Sequence, residues 1–169
     1  MSVLALQHSV RHRALWEVEV GAGLLAGQDD LDAVEKIIRE KVQSKLGLVD
    51  SSSRYIYRSG GKRVRPALLL LSAKACGYRG DKGPAYAAVT EFIHTATLVH
   101  DDILDSATTR RNLPTLNVLY GNEVPVLLGD YIYARAFHLS LHMGDLTCSR
   151  VLSEITRVVC QGEITQVLH

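Results

Sequence analysis

The sequence predicts an all-α protein, and three observations carry that prediction. Apolar residues recur at helical spacing from residue 29 onward, the first such segment has acids in its first turn and bases later, and no long period-two run competes. The composition, 47% hydrophobic and 22% charged among 169 residues, suits one globular domain with a core. We therefore expect a helical domain over residues 29–169, after a weakly patterned segment over residues 1–28.

Each helix is predicted from its own periodicity and end signals. The predicted helices cover approximately 29–48, 66–76, 85–105, 113–120, 124–143 and 146–168. Residues 50–65 are predicted to be a polar break with a short aromatic stretch and a Gly-Gly turn. Pro66 suits the first turn of the second helix and Gly77 its C-terminal end, and its apolar sides predict burial. The last helix lacks a C-cap signal, which predicts that the chain is a fragment of a longer protein.

Charge and cysteine content exclude several classes of protein. Nineteen Lys and Arg against eighteen Asp and Glu give a formal net charge of +1, so no long-range field favours nucleic acid or an anionic membrane. Cys76, Cys148 and Cys160 form no C-x-x-C pair and lie in apolar helices, which predicts buried free thiols in a reducing compartment. Because no signal peptide and no membrane span is recognisable, we predict a cytoplasmic location.

The stretch "LVHDDILDSATTRR", residues 98–111, contains the densest charge in the chain. On a helix, Asp101 and Asp105 stand one turn apart on the same face, with Asp102 offset to the side. Such a pair repels itself at neutral pH unless a cation lies between the carboxylates, and hard oxygen ligands with free coordination positions suit Mg²⁺. The alternative is a solvated helix end, because acidic runs are common there.

Basic and histidine neighbours favour the metal interpretation. His94 falls with Asp101 and Asp105 within a stripe of about 40° on the predicted helix, whereas His100 lies off it and is equally well explained as a core residue. Arg110 and Arg111 follow the acids, and guanidinium groups suit phosphate oxygens.

The earlier loop "SGGKRVRP" is a second candidate for anion binding. Gly60 and Gly61 free the backbone there, and three bases precede the predicted helix start, namely Lys62, Arg63 and Arg65. Each group alone could be surface charge or a nucleic-acid contact. Together they predict two phosphate-binding loops that face one metal platform.

Several linked motifs resemble one known family. "GGKRVRP", "EFIHTATLVHDDILD", "RRNLPT" and "GNEVPVLLGDYIYARAF" are similar to the all-trans isoprenyl diphosphate synthases, most closely the long-chain polyprenyl members such as the octaprenyl diphosphate synthases. The likeness runs from about residue 29 to residue 169. It implies an isoprenoid-synthase-type helical bundle around a central cavity, a homodimer, and Mg²⁺-dependent condensation of isopentenyl diphosphate onto an allylic diphosphate such as farnesyl diphosphate.

The resemblance also implies residue roles. Asp101 and Asp105 would bind Mg²⁺, Asp102 would support that site, and Arg110 would hold the allylic diphosphate. The residues implied for isopentenyl diphosphate are Gly61, Lys62, Arg65, His94 and Arg111.

Product length is implied by the positions four and five residues before the first aspartate. Here they are Thr97 and Ala96, where short-chain enzymes have large aromatics, so we expect a product longer than farnesyl, with geranylgeranyl diphosphate as the alternative. Asn112 departs from the family, where glycine is common after the arginine pair, which questions the loop geometry. Gln166, in "GEITQ", is either near the substrates or a packing residue.

Two other functions compete with a catalytic role. The first is a catalytically silent regulatory small subunit of a heteromeric synthase, which the intact acids and arginines disfavour. The second is a basic-loop RNA binder, disfavoured because no aromatic stacking platform accompanies the bases. Because the family's second Asp-rich motif is absent from this sequence, we expect the chain alone to be inactive or weakly active.

Overall fold

A computed structural model describes residues 27–58 and 60–168, which are helical apart from connecting loops and one short hairpin. The elements in chain order are α1 (Gln28–Lys41), α2 (Gly47–Arg58), α3 (Val64–Ala75), α4 (Gly83–Leu104), β1 (Thr109–Arg110), β2 (Leu113–Pro114), α5 (Leu116–Tyr120), α6 (Glu123–His142) and α7 (Leu146–Val167). The all-α prediction is confirmed. We predicted a weakly patterned segment over residues 1–28. Its residues 1–26 lie outside the described part of the chain.

The long helix α4 is the centre of the core. It packs against α1, α3 and α6, and its residue Phe92 is fully buried. Val34 and Ile38 cover it from α1, Leu70 from α3 and Ile132 from α6. Burial of this apolar surface is the main stabilising contribution, about 25 cal/mol per Å² removed from water. The site described below is carried by the same helix, so the core fixes its position.

The predicted helix over 29–48 is wrong in extent, because the structure divides it into α1 and the start of α2. Between them the Asp50 side chain accepts a hydrogen bond from the Ser44 backbone N–H at 3.4 Å. The predicted polar break over 50–65 is largely helical, since α2 continues to Arg58. Ser52 and Ser53 are buried on the inner face of α2. Tertiary packing therefore outweighs the weak helix propensity of a serine-rich stretch.

Helix α3 confirms the predicted end signals and corrects the predicted burial. Gly77 has φ +76°, and the Tyr78 N–H donates to the Ala73 carbonyl at 2.9 Å, which is the Schellman ending of a helix. Pro66 lies in the first turn, as predicted. However, Leu68 is 56% exposed, so only one side of α3 faces the core.

The prediction of buried thiols is wrong. Cys76 and Cys160 are exposed and Cys148 is half-buried, all three as free cysteines. The physical reason is that Cys76 ends α3, while Cys148 and Cys160 lie on α7, which buries none of its residues. The helix predicted from residue 113 begins only at Leu116, because the two residues of β2 pair with β1.

No helix in the described part of the chain combines the length and the apolar content that a bilayer crossing needs.

A close contact between α4 and α6 involves His100 and Gly129. His100 Nε2 donates to the Val126 carbonyl at 3.2 Å and lies 3.6 Å from Asp130 Oδ1. A Cβ atom at Gly129 would lie 2.2 Å from His100 Nε2. His100 therefore packs two helices together, which favours the packing interpretation that the sequence left open.

Replacing Gly129 with alanine tests this contact. Because the methyl group would displace a hydrogen-bonded imidazole, we expect Gly129→Ala to lower the free energy of unfolding by roughly 1–3 kcal/mol in urea titrations. Gly47→Ala is the matched control, since a Cβ atom there would meet nothing within 4 Å. In a His100→Ala background, Gly129→Ala should be neutral or stabilising. An equal loss in both backgrounds would mean that the imidazole contact is not the cause.

Candidate active site

A pocket that is partly open to solvent lies between α2, α4 and the segment from β1 to α5. Its charged lining residues are Arg63, Glu91, His94, Asp102, Arg110 and Arg111. Arg63 comes from the loop predicted to bind anions, and three others come from the charged stretch over residues 98–111, namely Asp102, Arg110 and Arg111. The fold therefore brings the loop ahead of α3 and the arginine pair to the same face of α4.

Helix α4 contributes to the pocket and to a neighbouring pair of carboxylates. The pocket is lined by residues that recur every three or four positions, from Glu91 through His94 to Asp102. Asp101 and Asp105 do not line it. On the helix they fall within about 40° of His94. We call the side of α4 that carries these two aspartates the carboxylate face.

A two-residue hairpin loop carries the second arginine of the pair. Arg111 (φ +51°) and Asn112 (φ +63°) form the loop between β1 and β2, so both adopt the left-handed conformation of a type I′ turn. Asparagine tolerates this conformation better than most residues. The departure from glycine at Asn112 therefore leaves the loop geometry intact.

Asp102 on α4 forms a hydrogen bond with the first strand of this hairpin. Its Oδ1 accepts a hydrogen bond from Arg110 Nε at 2.7 Å, and its side chain is only 12% exposed. The Asp102 carbonyl also accepts from the Ala107 N–H at 2.9 Å. Asp102 thus orients Arg110 toward the pocket by a charge-assisted hydrogen bond.

Gly61 lies where the two basic loops meet. A Cβ atom there would be 3.0 Å from Arg63 Nη1 and 3.3 Å from Arg111 Nη1. A larger residue would therefore push at least one guanidinium group away. Lys62 and Arg65, on either side of Arg63 in sequence, are both exposed to solvent.

The electrostatic environment of His94 shows how strongly positive this pocket is. Burial lowers the pKa of His94, and the nearby Arg65, Arg111 and Arg110 lower it further, against the opposing effect of Glu91. His94 is therefore neutral at neutral pH. Three guanidinium groups near a neutral imidazole can donate hydrogen bonds to a bound anion.

Negative charge dominates the surroundings of Asp101 on the carboxylate face. Burial raises the pKa of Asp101, and Glu163 and Asp105 raise it further, against the opposing effect of Arg110. Glu163 lies on α7, three residues before Gln166. The sequence indicated Gln166 as the candidate in this segment, and Gln166 is exposed. A cation bound between these carboxylates would stabilise their charged forms.

Two further candidates lie apart from the pocket. Ala96 is fully buried in the core, and Thr97 is half-buried with its hydroxyl donating to the His94 carbonyl at 2.8 Å. Neither side chain lines the pocket described above. Any effect of these two residues on product length must arise on another side of α4.

Comparison with known proteins identifies the family. The polyprenyl synthetase family model matches residues 47–169. The chain belongs to this family. Octaprenyl diphosphate synthase of Escherichia coli is 41% identical over 140 residues, which are 83% of this chain and 43% of that protein. The all-trans-nonaprenyl-diphosphate synthase of Rhodobacter capsulatus is 40% identical over 139 residues, 82% of this chain and 43% of that protein.

Solved structures agree with the sequence relatives. A decaprenyl diphosphate synthase from Rhodobacter capsulatus matches with a TM-score of 0.78 and 38% identity, over 83% of this chain and 44% of that one. A polyprenyl synthase from Caulobacter crescentus CB15, complexed with calcium and isoprenyl diphosphate, matches with a TM-score of 0.81 and 33% identity, over 83% and 43%. The predicted family and its helical fold are confirmed. The chain spans less than half the length of these polyprenyl synthetase relatives.

The donor set of this polyprenyl synthetase chain fits magnesium. Within the described residues no three His, Cys, Asp or Glu side chains are grouped to hold a metal ion by themselves. Asp101 and Asp105 nevertheless supply two hard oxygen ligands, and Mg²⁺ typically uses one or two carboxylates together with waters and substrate phosphates. Burial and the neighbouring carboxylates raise the pKa of Asp101, and a bound cation would stabilise its charged form.

The sequence did not indicate two features of the polyprenyl synthetase site. Glu91, three residues before His94, lines the pocket, and its spacing was the available signal. Arg63, taken with Lys62 and Arg65 as a base for anion binding, is paired with Glu35 and Glu91 instead. The pairing of Arg63 with two distant helices had no signal in the sequence.

The repulsion on the carboxylate face predicts a stabilising substitution. A folded-state pKa raised above the unfolded value means that Asp101 destabilises the fold at any pH above that folded pKa. We expect Asp101→Asn to raise Tm at pH 7 by up to about 4 °C, roughly 1 kcal/mol for a chain of this size, and the gain to fade as the pH falls toward 4. Asp81→Asn, at an exposed loop position, is the control in scanning calorimetry. A lower Tm for Asp101→Asn at pH 7 would contradict the account.

Proposed function

We propose that this chain provides the isopentenyl diphosphate site and the first metal-binding face of a long-chain trans-prenyltransferase. The observation that carries the proposal is the convergence of Arg65, Arg110 and Arg111 on a neutral His94, beside the carboxylates of Asp101 and Asp105. Arginine side chains next to a pair of carboxylates suit a diphosphate and its metal ions. The reaction would join isopentenyl diphosphate to farnesyl diphosphate or a longer allylic diphosphate.

In this proposal the two diphosphates use different arginines. Isopentenyl diphosphate binds to Gly61, Lys62, Arg65, His94 and Arg111. Gly61 has no side chain that would displace the guanidinium groups of Arg63 and Arg111, and His94 donates a hydrogen bond. Arg110, held by Asp102, faces the allylic diphosphate.

The carboxylate face serves the leaving group. Asp101 and Asp105 would hold Mg²⁺, which when bound neutralises the allylic diphosphate and favours cleavage of the allylic C–O bond. Arg110 contributes further positive charge there, and the pocket orients the double bond of the second substrate toward the allylic carbon. The new C–C bond forms from that double bond, and the departing diphosphate accepts the proton that is lost.

Product length follows from Thr97 and Ala96 in this proposal. Neither residue is large enough to close a cavity along α4, which favours a product longer than farnesyl. Relatives named as octaprenyl, all-trans-nonaprenyl and heptaprenyl component 2 synthases support the long-chain class. Geranylgeranyl diphosphate is the competing product.

A second candidate function is that of a subunit in a heteromeric synthase. Heptaprenyl diphosphate synthase component 2 of Geobacillus stearothermophilus is 37% identical over 139 residues, and its name indicates more than one component. Apolar side chains on α7 remain open to association, since Val151, Ile155 and Val158 are each 53% exposed. Self-association in light scattering would favour the homodimer. A monomer that binds a larger acid-motif protein would favour the heteromer.

Diphosphate binding tests the main proposal. Isothermal titration of this chain with isopentenyl diphosphate should show binding that Lys62→Ala and Arg111→Ala each weaken about tenfold or more, because each removes a charge-assisted hydrogen bond. Lys36→Ala, at an exposed position of α1, removes the same charge away from the pocket and should have no effect. Equal affinity in all four proteins, or no binding by the unmodified chain, would contradict the proposal.

Titration with farnesyl diphosphate tests the metal face. Binding should require Mg²⁺ and should be lost in Asp101→Asn and Asp105→Asn, while Asp81→Asn retains it. A condensation assay with labelled isopentenyl diphosphate and farnesyl diphosphate completes the test. Because the chain spans 43% of its octaprenyl relative, we expect little or no elongation from it alone.

A further inference from the structure

Arg63 is the last residue before α3, and its basic side chain turns inward. Its side chain is 14% exposed, and its Nη1 donates to Glu91 Oε1 at 2.7 Å. Its Nε and Nη2 both donate to the Glu35 carboxylate. The guanidinium carbon lies 5.9 Å from the centre of the Tyr57 ring. One side chain thus joins α1, α2 and α4 at the point where α3 begins.

The backbone at Arg63 is as unusual as its side chain. Arg63 has φ +48°, a left-handed conformation that residues other than glycine and asparagine seldom adopt. Its carbonyl accepts from the Ala67 N–H at 3.0 Å in the first turn of α3. Gly60 also has a positive φ, +76°. The loop is therefore bent at both ends around Gly61 and Lys62, and the ion pairs of Arg63 fix the second bend.

We propose that Arg63 is a positioning residue, which fixes the loop of Gly61 and Lys62 through Glu35 and Glu91 and does not itself bind diphosphate. The inference rests on the function proposed above, because it deepens the assignment of the isopentenyl diphosphate site. It separates Arg63 from its neighbours Lys62 and Arg65, which remain exposed.

The burial of Glu91 argues against a ligand role for Arg63. The Glu91 side chain is 7% exposed and lines the same pocket as His94 and Arg111. If Arg63 turned toward a diphosphate, Glu91 would be left as an uncompensated buried anion beside the incoming negative charge. With Arg63 in place, the charge of Glu91 is neutralised and the pocket accepts an anion.

The substitution Glu91→Met distinguishes the two roles by the sign of its effect. It removes a negative charge from an anion-binding pocket, so simple electrostatics, or an Arg63 freed to act as a ligand, would tighten binding of isopentenyl diphosphate. A positioning role predicts the reverse, a Kd about threefold or more higher, because the loop loses its attachment to α4. Methionine has nearly the same size, and Glu40→Met, at an exposed position of α1, is the matched control.

Two readouts separate positioning from a general loss of stability. Farnesyl diphosphate binding with Mg²⁺ should keep its Kd in Glu91→Met, since Arg110 and the carboxylate face do not depend on this loop. Arg63→Lys keeps the charge but loses the planar fork that reaches two carboxylates, so it should weaken isopentenyl diphosphate binding nearly as much as Arg63→Ala. Full affinity in Arg63→Lys, or an unchanged or lower Kd in Glu91→Met, would overturn the inference.

Amide hydrogen exchange tests the inference without any ligand. Peptides that cover residues 60–67 should exchange about tenfold faster in Arg63→Ala and Glu91→Met than in the unmodified chain or Glu40→Met, whereas peptides from α6 should be unchanged. If the unmodified chain binds neither diphosphate, the proposed function fails, and this exchange measurement still decides the role of Arg63. Unchanged exchange over 60–67 would refute the role of Arg63 as a loop anchor.

Discussion

The accumulation of positive charge around His94 is the constraint on which the rest of the site depends. Arg65, Arg110 and Arg111 all lie close enough to lower the pKa of His94. A neighbouring carboxylate compensates part of this positive charge. Asp102 accepts a hydrogen bond from Arg110 Nε at 2.7 Å, and Arg110 also lines the pocket. The largely buried carboxylate of Asp102 therefore fixes the position of the Arg110 guanidinium group, which can also bind a substrate phosphate.

Two arginines near this charge cluster occupy left-handed backbone conformations. Arg63 and Arg111 have φ +48° and +51°, and each such residue costs about 1 kcal/mol or more relative to a regular conformation. The pairing of β1 with β2 holds Arg111, and Glu35 and Glu91 hold Arg63. Backbone strain of this kind persists only where the surrounding contacts compensate for it. Here the two strained arginines both lie beside Gly61.

Much of this arrangement could be predicted from the sequence, and the failures have definite causes. The helical class, the course of α4, α6 and α7, and the family were all correct, because long periodic segments and linked motifs are strong signals. Helix α2 was missed because burial of Ser52 and Ser53 is a tertiary effect. The inward turn of Arg63 was missed because its partners lie 28 residues away on either side. Pairings at such distances are invisible to local patterns.

The pocket and the carboxylate face of α4 differ in what supports them. The pocket is enclosed by α2, by the hairpin and by the ion pairs of Arg63, all of which pack on the buried core. The carboxylate face looks toward Glu163 on α7, a helix that buries none of its residues in the described chain and that packs mainly against α6. Helix α4 therefore fixes the positions of the Asp101 and Asp105 carboxylates. The position of the third carboxylate, Glu163, depends on the exposed helix α7. Whatever covers the apolar side chains of α7 will consequently set the position of Glu163, and with it the charge that a cation meets beside Asp101.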